Sequence, residues 1–334
     1  MKRFSGVAVV LGALGLALAF ALWWIPSSDF IFTPDEAKPL AGKVTVEGAR
    51  PGGTGDVYYV DVFVRRIRLL ERLLPFTRPD GSTVVDEDVL LPPGTSDAQR
   101  DRQNVADMRR SEQVASVVAL RALGYDVRAT PRGVLVSSVA GDVPAAKVLD
   151  PGDVIVGIDG TPVKTPTELR AEIGRRKPGD EVRLAVRRGS RSREVRVRTV
   201  PSPADPTRPV IGIQVDQDAS IELPIDVDID LGDVGGPSAG LPFALEIARM
   251  LGRDVTDGCR IAATGELALD GTVLPIGGIQ QKTYGAREAD VDFFLVPAGE
   301  NATDARRYAD GLRVVPVESF QQAFRFLTTK NLKC

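Results

Sequence analysis

The chain has 334 residues, 43% of them apolar and 26% charged, which places it among globular proteins and beyond the size of one ordinary domain. Its 42 Lys and Arg against 45 Asp and Glu leave a net charge of −3, so the charge balance gives no reason to expect a nucleic-acid partner. Two cysteines cannot build a disulfide scaffold or a thiolate metal cluster, and the absence of histidine removes Ser-His-Asp and Cys-His mechanisms together with ordinary zinc sites. No metal and no cofactor is expected, and any acyl-transfer chemistry would need another base.

After Lys2 and Arg3, residues 6–25 form an uncharged run that, at about 1.5 Å per residue, would cross the ~30 Å hydrocarbon core as a helix. Trp23 and Trp24 stand where an interfacial aromatic belt would lie. The basic residues before the run, and Asp29, Asp35 and Glu36 after it, would leave the N-terminus in the cytoplasm. The expectation is a single-pass membrane anchor within residues 1–27, with all later residues extracytoplasmic. A signal peptide cleaved near Ala19-Phe20-Ala21 is the alternative.

Residues 28–122 contain two short β-like runs, 43–47 and 57–64, then a helical stretch at 65–74 and an irregular Pro/Gly/Asp segment. Nothing there points to chemistry. Residues 96–123 read as one long helix, capped by Ser96, in which Val105, Met108, Val114, Val117, Val118 and Leu120 recur at helical spacing. It is expected to pack with the later domains.

Residues 123–200 resemble a circularly permuted PDZ domain of the bacterial kind. The resemblance is carried by Leu123-Gly124-Tyr125-Asp126-Val127, by the run Gly133-Val134-Leu135-Val136, by Pro144-Ala145-Ala146, and above all by Leu149-Asp150-Pro151-Gly152-Asp153-Val154-Ile155-Val156-Gly157-Ile158-Asp159-Gly160. A helix starting near Thr165 and a hairpin from Val182 to Thr199 would follow, its alternating arginines forming one solvated face. Such domains bind an extended peptide along an exposed strand edge. The resemblance implies that Leu123, Gly124 and Tyr125 form the loop that holds the peptide's terminal carboxylate.

The chemistry is expected in the last third. Gly235-Gly236-Pro237-Ser238-Ala239-Gly240 opens an apolar helix that stops at Gly252, and Pro237 suits a first helical turn. Ser238 then sits at a helix N-terminus, where free N–H groups and the helix dipole can stabilise an oxyanion. A tight helix start needing small residues explains the same run. Residues 260–276 alternate around an Asp270-Gly271 turn as a β-hairpin, and Gly277-Gly278 opens a second helix with Lys282 in its first turn. An ammonium placed against a positive helix end and partly desolvated loses its proton more readily, as a lysine base requires, although a surface lysine fits the spacing as well.

Several of these motifs, in order, resemble the proteolytic domain of the Lon family of serine-lysine peptidases. They are Gly236-Pro237-Ser238-Ala239-Gly240, Thr264-Gly265-Glu266, the run from Gly271 to Ile279, Lys282, and Phe294-Leu295-Val296-Pro297. A helix at 301–309 with Asn301 as its cap, a strand at 312–317 and a helix at 319–327 complete the domain, taken as residues 207–329. The resemblance implies Ser238 as nucleophile and Lys282 as general base. Thr264 would help to orient the lysine, with Gly236 and Pro237 shaping the serine turn, and Glu266 would be structural. Gly235 stands where many relatives carry an acidic residue.

The arrangement as a whole is similar to that of the PDZ-containing, membrane-anchored Lon-like proteases of bacteria. It implies an α+β chain made of a transmembrane helix, a permuted PDZ domain and a Lon-type proteolytic domain, acting as a serine endopeptidase on unfolded or flexible extracytoplasmic polypeptides. No Gly-x-x-x-x-Gly-Lys-Ser/Thr loop occurs in the sequence, so ATP is not expected to be used. Family resemblance implies a homo-oligomer, in the form of a hexamer. A catalytically silent, membrane-tethered PDZ adaptor or chaperone, and a hydrolase of non-peptide esters or amides, stand as alternatives. Cys259 is read as a free buried thiol, with a bond to Cys334 as the other possibility.

Overall fold

The computed structural model describes residues 2–90, 97–202, 205–232, 234–329 and 332–334, and within its helices the side chains of all these but residues 2–9, 18, 19, 88, 98, 99 and 102. The chain divides into two units, Met1–Tyr125 with Ile225–Cys334, and Asp126–Pro224.

In the first unit, short apolar runs separated by helices form a parallel sheet, as such runs do when helices cover both faces. Asp56–Tyr59, Arg260–Ala263, Phe293–Pro297 and Arg313–Val317 lie side by side in that order, all parallel, and Lys38–Pro39 adds an antiparallel edge. Side-chain alternation splits the core in two. Val57, Tyr59, Ile261, Ala263 and Leu295 pack with Leu241, Phe243 and Leu245 of the helix Gly240–Met250 and with Val114 and Val118 of the long helix Asp97–Ala122. On the opposite face Ala262, Phe294 and Val296 pack with Ile279 and Ala286 of the helix Ile279–Glu288, and with Ala302 and Ala305 of the helix Glu300–Tyr308. Each large side chain fully buried this way contributes about 2 kcal/mol. The serine-bearing and lysine-bearing helices therefore belong to opposite faces of one sheet. A second, antiparallel sheet in this unit has the order Val62–Arg68, Pro26–Pro34, Thr83–Val85.

The second unit is an antiparallel sheet in the order Arg191–Arg198, Glu181–Arg188, Val154–Ile158, Arg128–Val139, Ile213–Glu222, with Thr161–Pro162 on Val154–Ile158. Its helix Pro166–Gly174 starts with a capping box in which Thr165 and Glu168 bond reciprocally. In Glu181–Arg188 the valines and Leu184 point inward while most arginines stay exposed, as the alternation predicts.

Several expectations are corrected. Among the described residues no helix is long and apolar enough to cross a membrane. The first helix, Lys2–Trp24, is no exception to this. The expected anchor over 6–25 and the single-pass, extracytoplasmic placement built on it are overturned on that ground. The run 57–64 is not one strand but breaks at Val60 and Asp61, where the chain leaves one sheet for the other. Residues 65–68 continue a strand, so the helix expected at 65–74 shrinks to Leu69–Leu73.

Arg260–Ala263 is a parallel strand rather than a hairpin arm, and only Glu266–Leu267 and Val273–Leu274 pair across the turn. Asn301 lies inside its helix instead of capping it. Its amide donates to the Ile276 carbonyl at 2.9 Å and accepts from the Ile276 N–H at 2.8 Å, pinning the approach to the lysine helix. Cys259 is not free, since it forms a disulfide with Cys334 at a Cα separation of 5.7 Å. The expected Ser96 cap lies outside the described residues.

Candidate active site

Three chain segments converge at the carboxyl ends of the parallel strands, the usual location of sites in such sheets. The first is the turn before the helix Gly240–Met250. Gly236 adopts φ 94°, a left-handed conformation that favours glycine, and Pro237–Ala239 forms one tight 3-10 turn. Ser238 is half-buried within it.

This turn is held from two sides. The Gly236 N–H donates to the Asn104 carbonyl at 2.9 Å, and the Ser111 hydroxyl donates to the Pro237 carbonyl at 3.0 Å, both partners belonging to the long helix Asp97–Ala122. At the end of the central strand, Gly265 N–H and Thr264 Oγ1 both donate to the Ser238 carbonyl, at 2.8 and 3.2 Å. The first N–H groups of a helix lack an acceptor inside it, and those of Ser238 and Ala239 occupy that position.

The second segment is the helix Ile279–Glu288. Lys282 is its fourth residue and is 4% exposed. Its Nζ donates to Ser238 Oγ at 3.1 Å and also to the Val60 carbonyl. Burial is the main cause that pushes its pKa down to about 8, opposed by the charge of Asp61. Of the two causes the sequence suggests, a positive helix end and partial desolvation, desolvation is the one that lowers the amine here. Helix Ile279–Glu288 itself is fixed by a close approach: a Cβ on Gly285 would collide with the Asp35 carbonyl oxygen, and the Gly285 carbonyl accepts from the Ala37 N–H at 3.0 Å. Gln281 reaches the Gly81 carbonyl at 2.8 Å and the Thr83 hydroxyl at 2.9 Å.

The third segment, residues 35–61, carries no motif that marks it in the sequence. It supplies the Val60 carbonyl and a charged cluster beside it, with Lys38 Nζ 2.6 Å from Asp35 Oδ2 and 3.5 Å from Asp61 Oδ2. The one signal that could have found it is a carboxylate, Asp61, inside an otherwise apolar β-like run.

The structure thus brings Ser238, Lys282, Thr264, Gly236 and Pro237 together. Thr264 reaches the backbone of the serine rather than the lysine. Leu123, Gly124 and Tyr125 are elsewhere, closing the long helix, with their N–H groups donating to the carbonyls of Ala119, Arg121 and Leu120 respectively. They belong to the first unit, while the strand Arg128–Val139 opens the sheet of the second. Glu266 pairs through its backbone in the short hairpin.

Comparison with known proteins gives two family matches. Residues 121–199 match the PDZ domain, and residues 212–329 match the C-terminal proteolytic domain of the Lon protease (S16). The chain is 33% identical over 107 residues to Lon protease 2 of Bacillus subtilis, covering 32% of this chain and 18% of that protein. It is 48% identical over 68 residues to Lon protease 1 of Sorangium cellulosum, covering 20% and 8%. Against the mitochondrial Lon protease homolog of Rattus norvegicus it is 40% identical over 95 residues, covering 27% and 10%. The chain therefore spans between about a tenth and a fifth of the length of these curated relatives. Among solved structures, the PDZ domain of an SdrC-like protein from Listeria monocytogenes is 36% identical with a TM-score of 0.24, covering 26% of this chain and 90% of that one.

Proposed function

We propose that this chain, which carries a PDZ domain and a Lon-type proteolytic domain, is a serine endopeptidase that works through Ser238 and Lys282, without ATP, on unfolded or flexible polypeptides presented by the PDZ unit. The observation that carries this reading is the 3.1 Å contact between Lys282 Nζ and Ser238 Oγ in a setting that lowers the amine's pKa to about 8. At pH 7 about a tenth of such an amine is neutral and able to act as a base.

In the reaction, neutral Lys282 takes the proton from Ser238 as Oγ attacks the peptide carbonyl. The N–H groups of Ser238 and Ala239 stabilise the resulting oxyanion, where loss of one such donor costs about 3 kcal/mol. Collapse breaks the C–N bond, the ammonium gives its proton to the leaving amine, and an ester to Ser238 remains. Water attacks that ester with Lys282 again accepting the proton, which releases the acid and regenerates the serine. Independence from ATP rests on the lack of a phosphate-binding loop in this sequence.

The test is hydrolysis of a fluorescent unfolded protein without nucleotide, by the full chain and by Ser238→Ala and Lys282→Ala, beside labelling with a serine-directed fluorophosphonate. Hydrolysis and labelling that vanish in both variants support the reading. Peptide binding by a wild-type chain that neither hydrolyses nor labels would replace it with a PDZ adaptor.

A further inference from the structure

Val60 and Asp61 are the two residues at which the chain passes from the strand Asp56–Tyr59 of the parallel sheet to the strand Val62–Arg68 of the antiparallel one. That break places the Val60 carbonyl on Lys282 Nζ, with Asp61 as the next residue of the chain. Asp61 Oδ1 is buried and has no hydrogen-bond partner among the described residues. A carboxylate oxygen in such a place is costly unless a cation's field offsets the loss of water. Two cations are near enough. Lys38 reaches the other oxygen at 3.5 Å and also holds Asp35, and the buried ammonium of Lys282, which sits on the carbonyl of the preceding residue, pulls on the same carboxyl through its charge.

We propose that Asp61 is a positioning residue for Lys282: its carboxylate, paired with Lys38, stabilises the protonated amine between Ser238 and the Val60 carbonyl and so sets the pH at which that amine can accept a proton. The proposal deepens the Ser238–Lys282 reading and rests on it for its catalytic consequence. Asp35, Lys38 and Asp61 lie outside both matched segments, while Ser238 and Lys282 lie within 212–329.

The charged and titratable groups in play are few. Lys282 faces Ser238 and Asp61, and among the described residues Asp61 is the charge that opposes the effect of burial on the amine. Asp61 faces Asp35, Lys38, Tyr59 and Lys282. Burial and the neighbouring Asp35 push the Asp61 carboxyl up, while Lys38 and Lys282 pull it down. Removing the negative charge at 61 leaves desolvation unopposed, so the amine must lose its proton at lower pH.

The experiment follows the Lys282 ammonium by NMR in the full chain labelled at lysine Nζ, with Lys282→Arg to assign the signal, in wild type, Asp61→Asn and Asp61→Glu. Asp61→Asn is expected to lower the titration midpoint by at least about half a pH unit, and Asp61→Glu to return it toward wild type. A midpoint in Asp61→Asn that is unchanged or higher overturns the proposal. Should Asp61→Asn not fold, as judged by circular dichroism, Asp61→Ser is read by the same criterion. This titration is read whether or not the chain cleaves anything. In parallel, the acid limb of fluorophosphonate labelling should move with the midpoint. A wild type that never labels would remove the peptidase reading, while the midpoint shift would still decide whether Asp61 acts on the amine.

Discussion

Thr264 Oγ1 donates a hydrogen bond to the carbonyl of Ser238 at 3.2 Å, which ties the end of the central parallel strand to the backbone of the serine. Thr264 is fully buried, and its own N–H is taken by the Leu295 carbonyl of the neighbouring strand at 2.9 Å. The hydroxyl thus positions Ser238 from a rigid element without touching Lys282 in the way the sequence suggests. Thr264→Val keeps the shape and leaves the Gly265 N–H bond in place, so the expected loss is about 1 kcal/mol. We predict a kcat lowered about three- to tenfold with KM nearly unchanged. Equal kcat in Thr264→Val and wild type would show that the Gly265 bond alone holds the serine.

Lys282 links activity and stability to pH with definite signs. Its amine ordinarily titrates at 10.5 and is lowered to about 8 here, chiefly by burial. Between those values the unfolded chain holds a proton that the folded chain does not, so stability rises with pH across that window and the penalty of burying the charge is felt in full below it. Lys282→Met removes this dependence. The difference in unfolding free energy between wild type and Lys282→Met is predicted to change by about 3 kcal/mol from pH 7 to pH 10.5, in favour of wild type at the higher pH. Urea unfolding at the two pH values measures it, and parallel curves would place the amine in contact with water. Wild-type kcat/KM is likewise expected to climb with pH through about 8.

The legible and illegible parts of this chain differ in the distance over which their causes act. Ser238 and Lys282 are legible because several ordered local motifs around them resemble the Lon proteolytic domain, whereas the glycine-proline helix start and the first-turn lysine alone leave a plain helix start and a surface lysine open. The hairpin of Glu181–Arg188 and Arg191–Arg198 is equally plain from alternation. By contrast, Arg260–Ala263 followed by an Asp270-Gly271 turn has the pattern of a hairpin, and only the distant strands Asp56–Tyr59 and Phe293–Pro297 make it a central parallel strand. Val60 contributes a backbone carbonyl, a group every residue carries and no motif can mark. The Cys259–Cys334 bond depends on where the C-terminus returns, which two cysteines 75 residues apart do not state.

That dependence on distant strands makes a prediction about dissection. The segment matched to the Lon proteolytic domain, 212–329, lacks Asp56–Tyr59, which pairs with Arg260–Ala263, and the long helix Asp97–Ala122, which buries Phe243 and Leu245 and bonds to the serine turn. A fragment of residues 225–334 would expose one edge and much of one face of its sheet. It is predicted to show no cooperative thermal transition, whereas a fragment of residues 126–224, with its own core of Val134, Ile155, Leu184 and Val197, should unfold cooperatively. Calorimetry of both fragments decides, and a cooperative transition in 225–334 would show that the N-terminal segment only decorates the fold.

The disulfide carries the last prediction. Cys259 is fully buried immediately before the central strand, and Cys334 brings the C-terminus onto it, aided by the Leu332 N–H donating to Asp257 at 2.8 Å. Closing a loop of that length restricts the unfolded chain by an amount that the chain-entropy account puts at about 4 kcal/mol, an upper figure because residual structure in the unfolded state reduces it. Cys334→Ser should therefore lower the unfolding free energy by about 2–4 kcal/mol. The remaining Cys259 thiol is tolerated as a small apolar group, so no further cost is added. Cys259→Ser places a hydroxyl in the same buried position and should cost more than Cys334→Ser by about 1–2 kcal/mol. Wild type unfolded in urea with a reducing agent should match oxidised Cys334→Ser, because both lack the cross-link and nothing else. Catalysis is not expected to follow this ordering, since the serine turn is held by Thr264, Gly265, Asn104 and Ser111, none of which touches the disulfide. A reduced wild type as stable as the oxidised protein would mean that the bond closes a tail already fixed by its other contacts.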